Sequence, residues 1–353
     1  MRILVINPGS TSTKVAVYED ERPVLLRNIR HTAEELRAYP TSFDQLPLRQ
    51  NKIVQTLEEE EIPFAFDAIV GRGGLTHPIP AGVYRVNAQM LHDTRTAIRQ
   101  HVCNLGCHIA AALASKIDHC EALIADPVIV DEMCPEARIC GSPDMRRNSV
   151  WHALNQRATA RRHALSIGCH YEDLDLIVAH LGGGITIGVH HHGRTIDVNN
   201  GLDGEGPFSP ERAGTLPTAD LIRMCFSGEY TEEELLRFVG GKAGLVAWLG
   251  TSDTREILER IESGDEEAKL VMDAMIYHIA KGIAAQAAVL CGRYDAILIT
   301  GGLAHAHYIT SRLRERVSFI APVHIYPGEN EMEALAENAL AVLRNQREVL
   351  DYQ

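Results

Sequence analysis

The sequence has no excess of positive charge and no long apolar run, and each absence excludes a class of partner. Its 353 residues carry 34 Lys and Arg against 47 Asp and Glu, a net charge of −13. A surface of this charge repels phosphate backbones and anionic lipids, so we expect neither a nucleic-acid partner nor a membrane partner. The most apolar helical stretch, residues 279–291, contains Lys281 and Gln286 and is too short to span a bilayer.

The sequence also lacks closely spaced cysteines and a recognisable targeting segment. Its eight cysteines stand at scattered spacings with no CxxC pair, which favours reduced, mostly buried thiols. The first residues, MRILVIN, carry one positive charge and too short an apolar run for a signal peptide. Together these features predict a cytoplasmic protein, and its length favours two domains.

Two stretches about half a chain apart have the same pattern of strands and turns. The first contains RILVIN, KVAVYE and PVLLRNI, and the second contains DLIVAH, ITIGVHH and RTIDV. A shift of 173 positions aligns His180 with Asn7 and Gly182 with Gly9. Chance similarity between two hairpin-rich stretches is one interpretation. The other is an internal duplication, which agrees with two domains.

Patterns typical of helices and short strands follow each set. The helical patterns cover residues 88–101, 104–117, 149–167, 265–291 and 331–347, and short apolar strands cover 121–125 and 295–299. Three strands followed by alternating helices and strands, twice over, predict two α/β domains with a cleft between them. Ligands of such sheets bind where strands end in loops.

The turn after the first strand of each set is a candidate for phosphate binding. NPGSTSTK (7–14) offers backbone N–H groups, hydroxyl groups and the charge of Lys14. LGGG (181–184) allows a ligand to approach the backbone closely. A solvated, serine-rich hairpin is the alternative interpretation of the first turn.

Three other motifs do not meet the requirements of the sites that they suggest. GGKAG (240–244) has Ala243 where a Walker A loop needs Ser or Thr, and GGGITIG (182–188) has one residue too many for a dinucleotide fingerprint. HHHG (190–193) suggests a metal site, but three adjacent residues on a turn point in different directions, and no carboxylate has a matching spacing nearby. We therefore interpret HHHG as a solvated turn.

The remaining motifs resemble those of the acetate kinase family, a branch of the actin-like ATPase superfamily. They are NPGSTSTK, VGRGG (70–74), NLG (104–106), HALNQRATAR (152–161), AHLGGG (179–184), DVNNGLDGEGPFSPERAGTLP (197–217) and ITGGLA (299–304). The resemblance implies an α/β fold with duplicated, ribonuclease H-like βββαβαβα domains that flank a nucleotide cleft. The domains would be residues 1–150 and 151–330, with the C-terminal helix 331–353 as a candidate to pack back on the first.

The resemblance also implies a reaction. DVNNGLDGEGPFSPER is typical of the butyrate-specific branch, which implies reversible phosphoryl transfer from ATP to butyrate with Mg²⁺. Acetate, propionate or a branched-chain acid are alternative acceptors, and a chaperone-like ATPase is a more distant alternative. Such acids have a pKa of about 5 and are ionised at neutral pH, so the reaction needs charge stabilisation and no general base. The partners would be small molecules, ATP or ADP and a short fatty acid, and the assembly a homodimer or larger.

Roles for single residues follow from the same resemblance. The catalytic residues would be Arg72, Arg212, His180, His152 and Asp126. Contacts to phosphates and nucleotide would come from Asn7, Ser10, Ser12, Lys14, Gly182, Gly183, Gly184, Asp253, Arg255, Gly301 and Gly302. Asp126, Glu331 and Glu333 would lie near Mg²⁺, and spacing does not decide between the two glutamates, although we favour Glu331. Structural alternatives remain: salt bridges for the arginines, a core role for His180 and a turn role for Asp126.

The sequence departs from the acetate kinases at two places. They carry a histidine just before the asparagine of NLG, and here that residue is Cys103, with His101 nearby as the alternative. They also carry bulkier residues after the arginine of VGRGG, where this chain has Gly73 and Gly74. The two glycines predict room for a longer acyl tail, and a tight turn is the alternative interpretation.

Overall fold

The computed structural model describes residues 1–97 and 100–353. The chain forms two compact units, residues 1–130 together with 330–353, and residues 131–329. Residues 131–150, which the sequence analysis assigned to the first domain, lie in the second unit. Within this segment, Arg147 donates to the Asp197 carboxylate at 3.0 Å.

Strands and α-helices occur in both units, and their labels follow the order of the chain. The strands are β1 (Arg2–Pro8), β2 (Ser12–Glu19), β3 (Arg22–Arg30), β4 (Ala68–Arg72), β5 (Val83–Arg85), β6 (Glu121–Ala125), β7 (Asp175–Leu181), β8 (Ile185–His191), β9 (Arg194–Val198), β10 (Ala296–Gly301), β11 (Val323–Pro327) and β12 (Val349–Asp351). The helices are α1 (Ala33–Arg37), α2 (Leu46–Glu59), α3 (Ala88–Thr96), α4 (Leu105–Ala114), α5 (Pro135–Arg138), α6 (Ala153–Ser166), α7 (Thr218–Cys225), α8 (Glu232–Gly241), α9 (Leu245–Leu249), α10 (Thr254–Glu262), α11 (Glu266–Ala287), α12 (His307–Val317) and α13 (Glu331–Leu343).

Each unit is built around one mixed sheet, and the two sheets have the same core topology. The first has the order β12-β5-β6-β4-β1-β2-β3 and the second β11-β10-β7-β8-β9. In both, the first three strands form an antiparallel meander, and two further strands continue in parallel beside the first. The bounds of β1 and β7 also coincide under the shift of 173 positions. The predicted internal duplication is thus confirmed.

The strands are long apolar runs because helices cover both faces of the sheet. In β7, Ile177, Ala179 and Leu181 pack in a cluster with α11, whereas Leu176 and Val178 pack in a cluster with α6. Successive side chains of a strand point to opposite faces, so a strand buried on both faces has no polar alternation. Polar side chains at the strand ends therefore mark the edge where the packing stops.

Strand β4 and helix α4 meet backbone to backbone, directly before Arg72. A Cβ at Gly71 would lie 2.3 Å from the Gly106 carbonyl oxygen, and a Cβ at Gly106 would lie 2.1 Å from the Arg72 carbonyl oxygen. Only two glycines permit this approach. It fixes the end of β4 against the start of α4 and thereby the origin of the Arg72 side chain.

Three further expectations concern helices and thiols. The predicted helix 88–101 is represented by α3, and residues 98 and 99 of that prediction lie outside the described residues. Within 1–97 and 100–353, none of the helices combines the length and apolar character needed to cross a bilayer. The cysteines are free thiols in the structure, but three are exposed, Cys140, Cys225 and Cys291, and three are half-buried, so the expectation of mostly buried thiols is wrong.

Candidate functional site

The residues singled out in the sequence fall into two groups, one in each unit, and four of them lie at the carboxyl ends of equivalent strands. In the first unit, Asn7 lies near the end of β1 and Arg72 is the last residue of β4. In the second unit, His180 lies near the end of β7 and Gly301 is the last residue of β10. The carboxyl ends of neighbouring parallel strands lie at the same edge of a sheet, so the side chains at these ends lie near one another.

In the first unit, Asn7, Arg72 and Glu331 form a bonded cluster. The Asn7 amide donates to Glu331 Oε2 at 2.6 Å, and Arg72 Nη1 donates to the same oxygen at 3.2 Å. Arg72 Nη2 lies 3.2 Å from Glu331 Oε1, so the guanidinium binds both carboxylate oxygens. Glu331 is 8% exposed and is the first residue of α13, where the helix dipole favours a carboxylate. Glu333, in the same turn of the helix, is exposed.

Asp126 follows β6 and is held by the backbone of the loop before β5. Its backbone N–H donates to the Gly82 carbonyl at 2.9 Å, and its Oδ1 accepts from Gly82 N–H at 3.0 Å. The residue is 1% exposed and adopts a left-handed backbone conformation with φ of 38°. A buried carboxylate therefore stands at the end of β6, oriented by a turn.

Gly73 and Gly74 do not open space on their Cβ side. A Cβ at Gly73 would lie 2.5 Å from Pro127 Cβ, and one at Gly74 would lie 2.6 Å from both Cα and Oδ1 of Asn104. Contacts this short require the neighbours to move. The premise of the tail-length prediction is therefore wrong, because the volume that the missing side chains leave is filled by protein.

The turn at residues 9–12 is closed by a hydrogen bond from Gly9 N–H to the Ser12 carbonyl at 2.8 Å. Ser10 is exposed at its tip, Ser12 is half-buried where β2 begins, and Lys14 is exposed. Lys14 is the cross-strand partner of Asn7. Because paired residues of an antiparallel ladder share a face, the ammonium group extends from the face that carries Asn7.

Cys103 is buried, whereas His101 is exposed. The Cys103 backbone N–H donates to His101 Nδ1 at 3.2 Å, and its Sγ lies 3.0 Å from the same nitrogen. Burial raises the pKa of the Cys103 thiol to about 11, and the charges of Arg72 and Glu331 act on it in opposite directions. The thiol is thus a neutral group beside the Arg72–Glu331 pair.

In the second unit, His180 is fixed by a chain of hydrogen bonds. Asn155 Nδ2 donates to the backbone carbonyl of Glu329, and this leaves Asn155 Oδ1 to accept from His180 Nδ1 at 2.7 Å. The network assigns the Nδ1 proton to the His180 ring and directs its Nε2 toward the glycine turn, where it lies 3.0 Å from the Cβ position of Gly182. The His152 ring stacks on the His180 ring, with centroids 3.8 Å apart. His152 Nδ1 also forms a hydrogen bond of 2.9 Å with Thr186 Oγ1.

The glycine turn 182–184 is backed by the segment that carries Arg212. Ser209 Oγ donates to the Gly183 carbonyl at 2.5 Å and accepts from the Arg212 backbone N–H at 3.0 Å. A Cβ at Gly184 would lie 2.1 Å from Arg212 Nη1, so only glycine allows the guanidinium to lie against the turn. The same Nη1 donates to the Gly201 carbonyl.

The predicted nucleotide contacts differ in their settings. Asp253 caps α10 by accepting from Arg255 N–H at 2.9 Å, and both side chains are exposed. Gly301 has φ of 92°, and a Cβ there would lie 2.3 Å from the Leu181 carbonyl, whereas the Cβ position of Gly302 faces open space. The end of β10 therefore passes close to the glycine turn and then opens outward.

Sequence reasoning missed three residues that hold these groups in place. Asn155 and Ser209 lie inside stretches that carry the resemblance, HALNQRATAR and FSPER, so spacing from His152 and Arg212 offered a signal. Arg49, which lies beneath the turn at residues 9–12, had only an indirect signal. It precedes Ile53 and Leu57 by four and eight residues, so it shares the face that the helix buries, but its charge points to a surface position.

The interpretation of HHHG as a solvated turn without a nearby carboxylate needs one correction, because Asp175 lies beside one of its histidines. His191 Nδ1 lies 2.5 Å from Asp175 Oδ1, its cross-strand neighbour, and the His192 ring lies 4.2 Å from that of His191. A left-handed residue, His192 with φ of 47°, turns the chain so that these side chains converge. The cluster stands at the start of β7, about 16 Å along the strand from His180, and is separate from the candidate site.

Known proteins resemble this chain along its whole length. The model of the acetokinase family matches residues 145–341, more than half of the chain. A probable butyrate kinase from Bacteroides thetaiotaomicron is 59% identical over 352 residues, covering 100% of both chains. Butyrate kinase 2 from Clostridium acetobutylicum is 48% identical over 353 residues, covering 99% of both chains.

The fold also matches a solved structure. Acetate kinase from Porphyromonas gingivalis superposes with a TM-score of 0.78 at 18% identity, covering 97% of this chain and 99% of that one. At this identity the likeness concerns the fold alone. It confirms the predicted fold class, an α/β architecture with two duplicated sheet units.

Proposed function

The chain belongs to the acetokinase family, and we propose that it transfers the γ-phosphoryl group of ATP to butyrate, reversibly. The observation that carries the proposal is the identity of 47–59% along the whole chain to proteins named butyrate kinase or probable butyrate kinase. A carboxylate oxygen of butyrate attacks the γ-phosphorus while the bond to the bridging oxygen breaks. The products are ADP, which keeps the bridging oxygen, and butanoyl phosphate.

In this proposal the first unit handles the acid and the transferred group. Arg72 binds the butyrate carboxylate or the phosphoryl oxygens, for which a planar guanidinium is suited. Its pairing with Glu331 holds the side chain in place before the substrate arrives. Asn7 and Lys14 add a neutral donor and a charge on the same side of β1 and β2.

Kinases of this family use ATP or ADP with a divalent metal, generally Mg²⁺. Asp126 and Glu331 fit such a cation, because both are buried carboxylates and Mg²⁺ prefers hard oxygen ligands. The oxygens of Glu331 already bind Asn7 and Arg72, which favours contact through water. When bound, Mg²⁺ neutralises part of the phosphate charge.

The second unit would hold the nucleotide. Backbone N–H groups of the turn 182–184, His180 Nε2 and Arg212 would bind phosphate oxygens, which develop charge as the group transfers. Gly301 and Gly302 would accept the adenosine, with Asp253 and Arg255 at the entrance. His152 would support the His180 ring by stacking.

A hydroxamate assay tests this function. Purified protein with ATP, Mg²⁺ and butyrate should form an acyl phosphate that hydroxylamine traps. Each methylene buried is worth about 0.8 kcal/mol, so kcat/KM for butyrate should exceed that for acetate about tenfold. An acetate preference would favour the acetate kinase alternative, and no product with any short acid would contradict a carboxylate kinase.

We also propose a homo-oligomer formed through the second unit. Half of the large apolar side chains that are exposed among the described residues, seven of fourteen, lie between 222 and 277: Ile222, Phe226, Tyr230, Leu236, Trp248, Leu270 and Tyr277. If these side chains form one patch, it would be of the kind that marks an interface, since monomers rarely expose large contiguous apolar patches. Sedimentation should give a dimer or larger assembly that Phe226→Glu weakens, and a monomer at all concentrations would contradict the proposal.

A further inference from the structure

Arg49 is a fully buried cation beneath the turn at residues 9–12. Its side chain is 0% exposed and makes five hydrogen bonds within the described residues. Two go to Gln45 Oε1, and the others to the Ser10 carbonyl at 3.3 Å, the Ser12 carbonyl at 3.0 Å and Thr13 Oγ1 at 2.9 Å. Each of these acceptors is a neutral oxygen.

A buried guanidinium without a carboxylate among these hydrogen-bond partners is unusual, because burying a charge is costly unless an opposite charge compensates it. Burial lowers the pKa of Arg49 to about 10, which still leaves it charged at neutral pH. The charge thus contributes a positive potential beneath the turn. An anion above the turn would provide the missing compensation.

The hydrogen bonds also fix which way the turn faces. Peptide groups are planar and trans, so the C=O and N–H of one peptide point in opposite directions. With the Ser10 carbonyl bound to Arg49, the N–H of Thr11 points away from the guanidinium. The Thr11 carbonyl is held as well, because it accepts from His31 N–H at 2.9 Å.

A second buried residue completes the support. Thr13 Oγ1 accepts from Arg49 and forms a hydrogen bond of 2.8 Å with His31 Nε2. Burial and the charge of Arg49 lower the pKa of His31 to about 4, so this ring is neutral at neutral pH. Of these three bonded side chains, Arg49 alone is charged.

We propose that Arg49 is a positioning residue for the transferred phosphoryl group: it orients the amides of the turn and places a buried positive charge behind them. This inference rests on the proposed function and on the sequence prediction that the turn, with Ser10 and Ser12, binds phosphate. Arg49 acts by holding the turn and through the electrostatic potential of its charge, and it does not touch the substrate.

The test compares binding of the imido analogue of ATP, which carries a γ-phosphate, with binding of ADP, which does not. Arg49→Met removes the charge and the donors, Arg49→Lys keeps the charge but lacks the planar fork, and Arg37→Met is the matched control because Arg37 is exposed on α1. We expect Arg49→Met to weaken the analogue about tenfold relative to ADP, and Arg49→Lys to recover part of this loss. Arg37→Met should leave the ratio unchanged.

An unchanged ratio of analogue to ADP affinity in a folded Arg49→Met protein would overturn the inference. If Arg49→Met does not fold, an unchanged ratio in Arg49→Lys would overturn it. An equal loss for both nucleotides would do so too, since it would indicate a general structural role. The hydroxamate assay of the wild-type protein reports on the proposed function separately, so failure of that function is distinguishable from failure of the Arg49 argument.

Discussion

The Arg72–Glu331 pair allows stability and catalysis to be measured apart. The two groups make two contacts of 3.2 Å, and their side chains are 26% and 8% exposed. Two charges about 4 Å apart interact by about 4 kcal/mol at an effective dielectric constant of about 20, and solvent near Arg72 reduces this. We therefore expect Arg72→Met to lower the free energy of unfolding by about 2–3 kcal/mol, because it leaves a buried carboxylate without its cation.

The double variant separates the two roles. Glu331→Gln should lower the free energy of unfolding by about 1–2 kcal/mol, and Arg72→Met with Glu331→Gln should lose at least about 1 kcal/mol less than the sum of the single variants. Chemical denaturation of the four proteins gives this coupling energy. Additive losses would mean that the pair contributes nothing to stability.

Activity should not recover with stability. The double variant still lacks the cation proposed to bind the carboxylate or phosphoryl oxygens, so its turnover should be at least about 10²-fold below wild type, the scale for a lost preorganised contact. Glu331→Gln alone keeps that cation and should lose less. If the double variant regains wild-type turnover together with stability, Arg72 is a structural residue and its proposed catalytic role is refuted.

Three further predictions concern single contacts. Arg212→Lys should lower kcat about 10²-fold in the hydroxamate assay with little change in melting temperature, because a lysine cannot lie flat against Gly184. Near-normal turnover would refute the role of the guanidinium. Burial lowers the pKa of His31 and of His108 from 6.5 to about 4, so the unfolded chain binds more protons between these values and stability should fall by about 2 kcal/mol or more as pH drops through that window. The slope of unfolding free energy against pH should become shallower in His31→Gln, and an unchanged slope would contradict the argument. Gly74→Ala should destabilise the fold by about 1–3 kcal/mol through contact with Asn104 while leaving the ratio of butyrate to acetate kcat/KM unchanged, and a selective loss for butyrate would restore the tail-length hypothesis.

The fold could be predicted from the sequence because the apolar runs of the strands, and their repetition, can be recognised in short stretches of sequence. The runs DLIVAH, ITIGVHH and RTIDV correspond to β7, β8 and β9 within one residue at each end. The short strands β5 and β12, three residues each, gave no such signal, since their pairing depends on partners far along the chain. Local pattern cannot reveal contacts of that range.

The candidate site could be predicted only where a motif carried it. Arg72, Glu331 and His180 lie in stretches with a specific resemblance, whereas Arg49 lies outside every such stretch. Its helical spacing to Ile53 and Leu57 puts it on the buried face of α2, but a charged residue at such a position does not by itself indicate a site. The tail-length prediction failed for the same reason, because a glycine in sequence does not show whether its missing side chain leaves a void or a backbone contact.

The duplication explains that failure in structural terms. The strand registers pair Ile6 with Gly71 and Ala179 with Ile299, so the shift that relates β1 to β7 makes Arg72 equivalent to Thr300. The two following glycines of VGRGG and ITGGLA then also coincide. Gly74 and Gly301 are packed against neighbouring backbone and Gly73 is packed against Pro127, whereas the Cβ position of Gly302 faces open space. Three of the four glycines therefore belong to the packed scaffold.

What distinguishes the two units is therefore the residues that the duplication did not keep. Thr300 is neutral and donates to the Gly328 carbonyl at 3.1 Å, whereas Arg72 at the equivalent place brings a cation paired with Glu331. Asn7 and His180, equivalent at the first strand, bind different partners, Glu331 and Asn155. The end with the Arg72–Glu331 pair suits an anionic acceptor, and the glycine-rich end suits close backbone contact with phosphates, so one ancestral scaffold accounts for both halves of the proposed reaction.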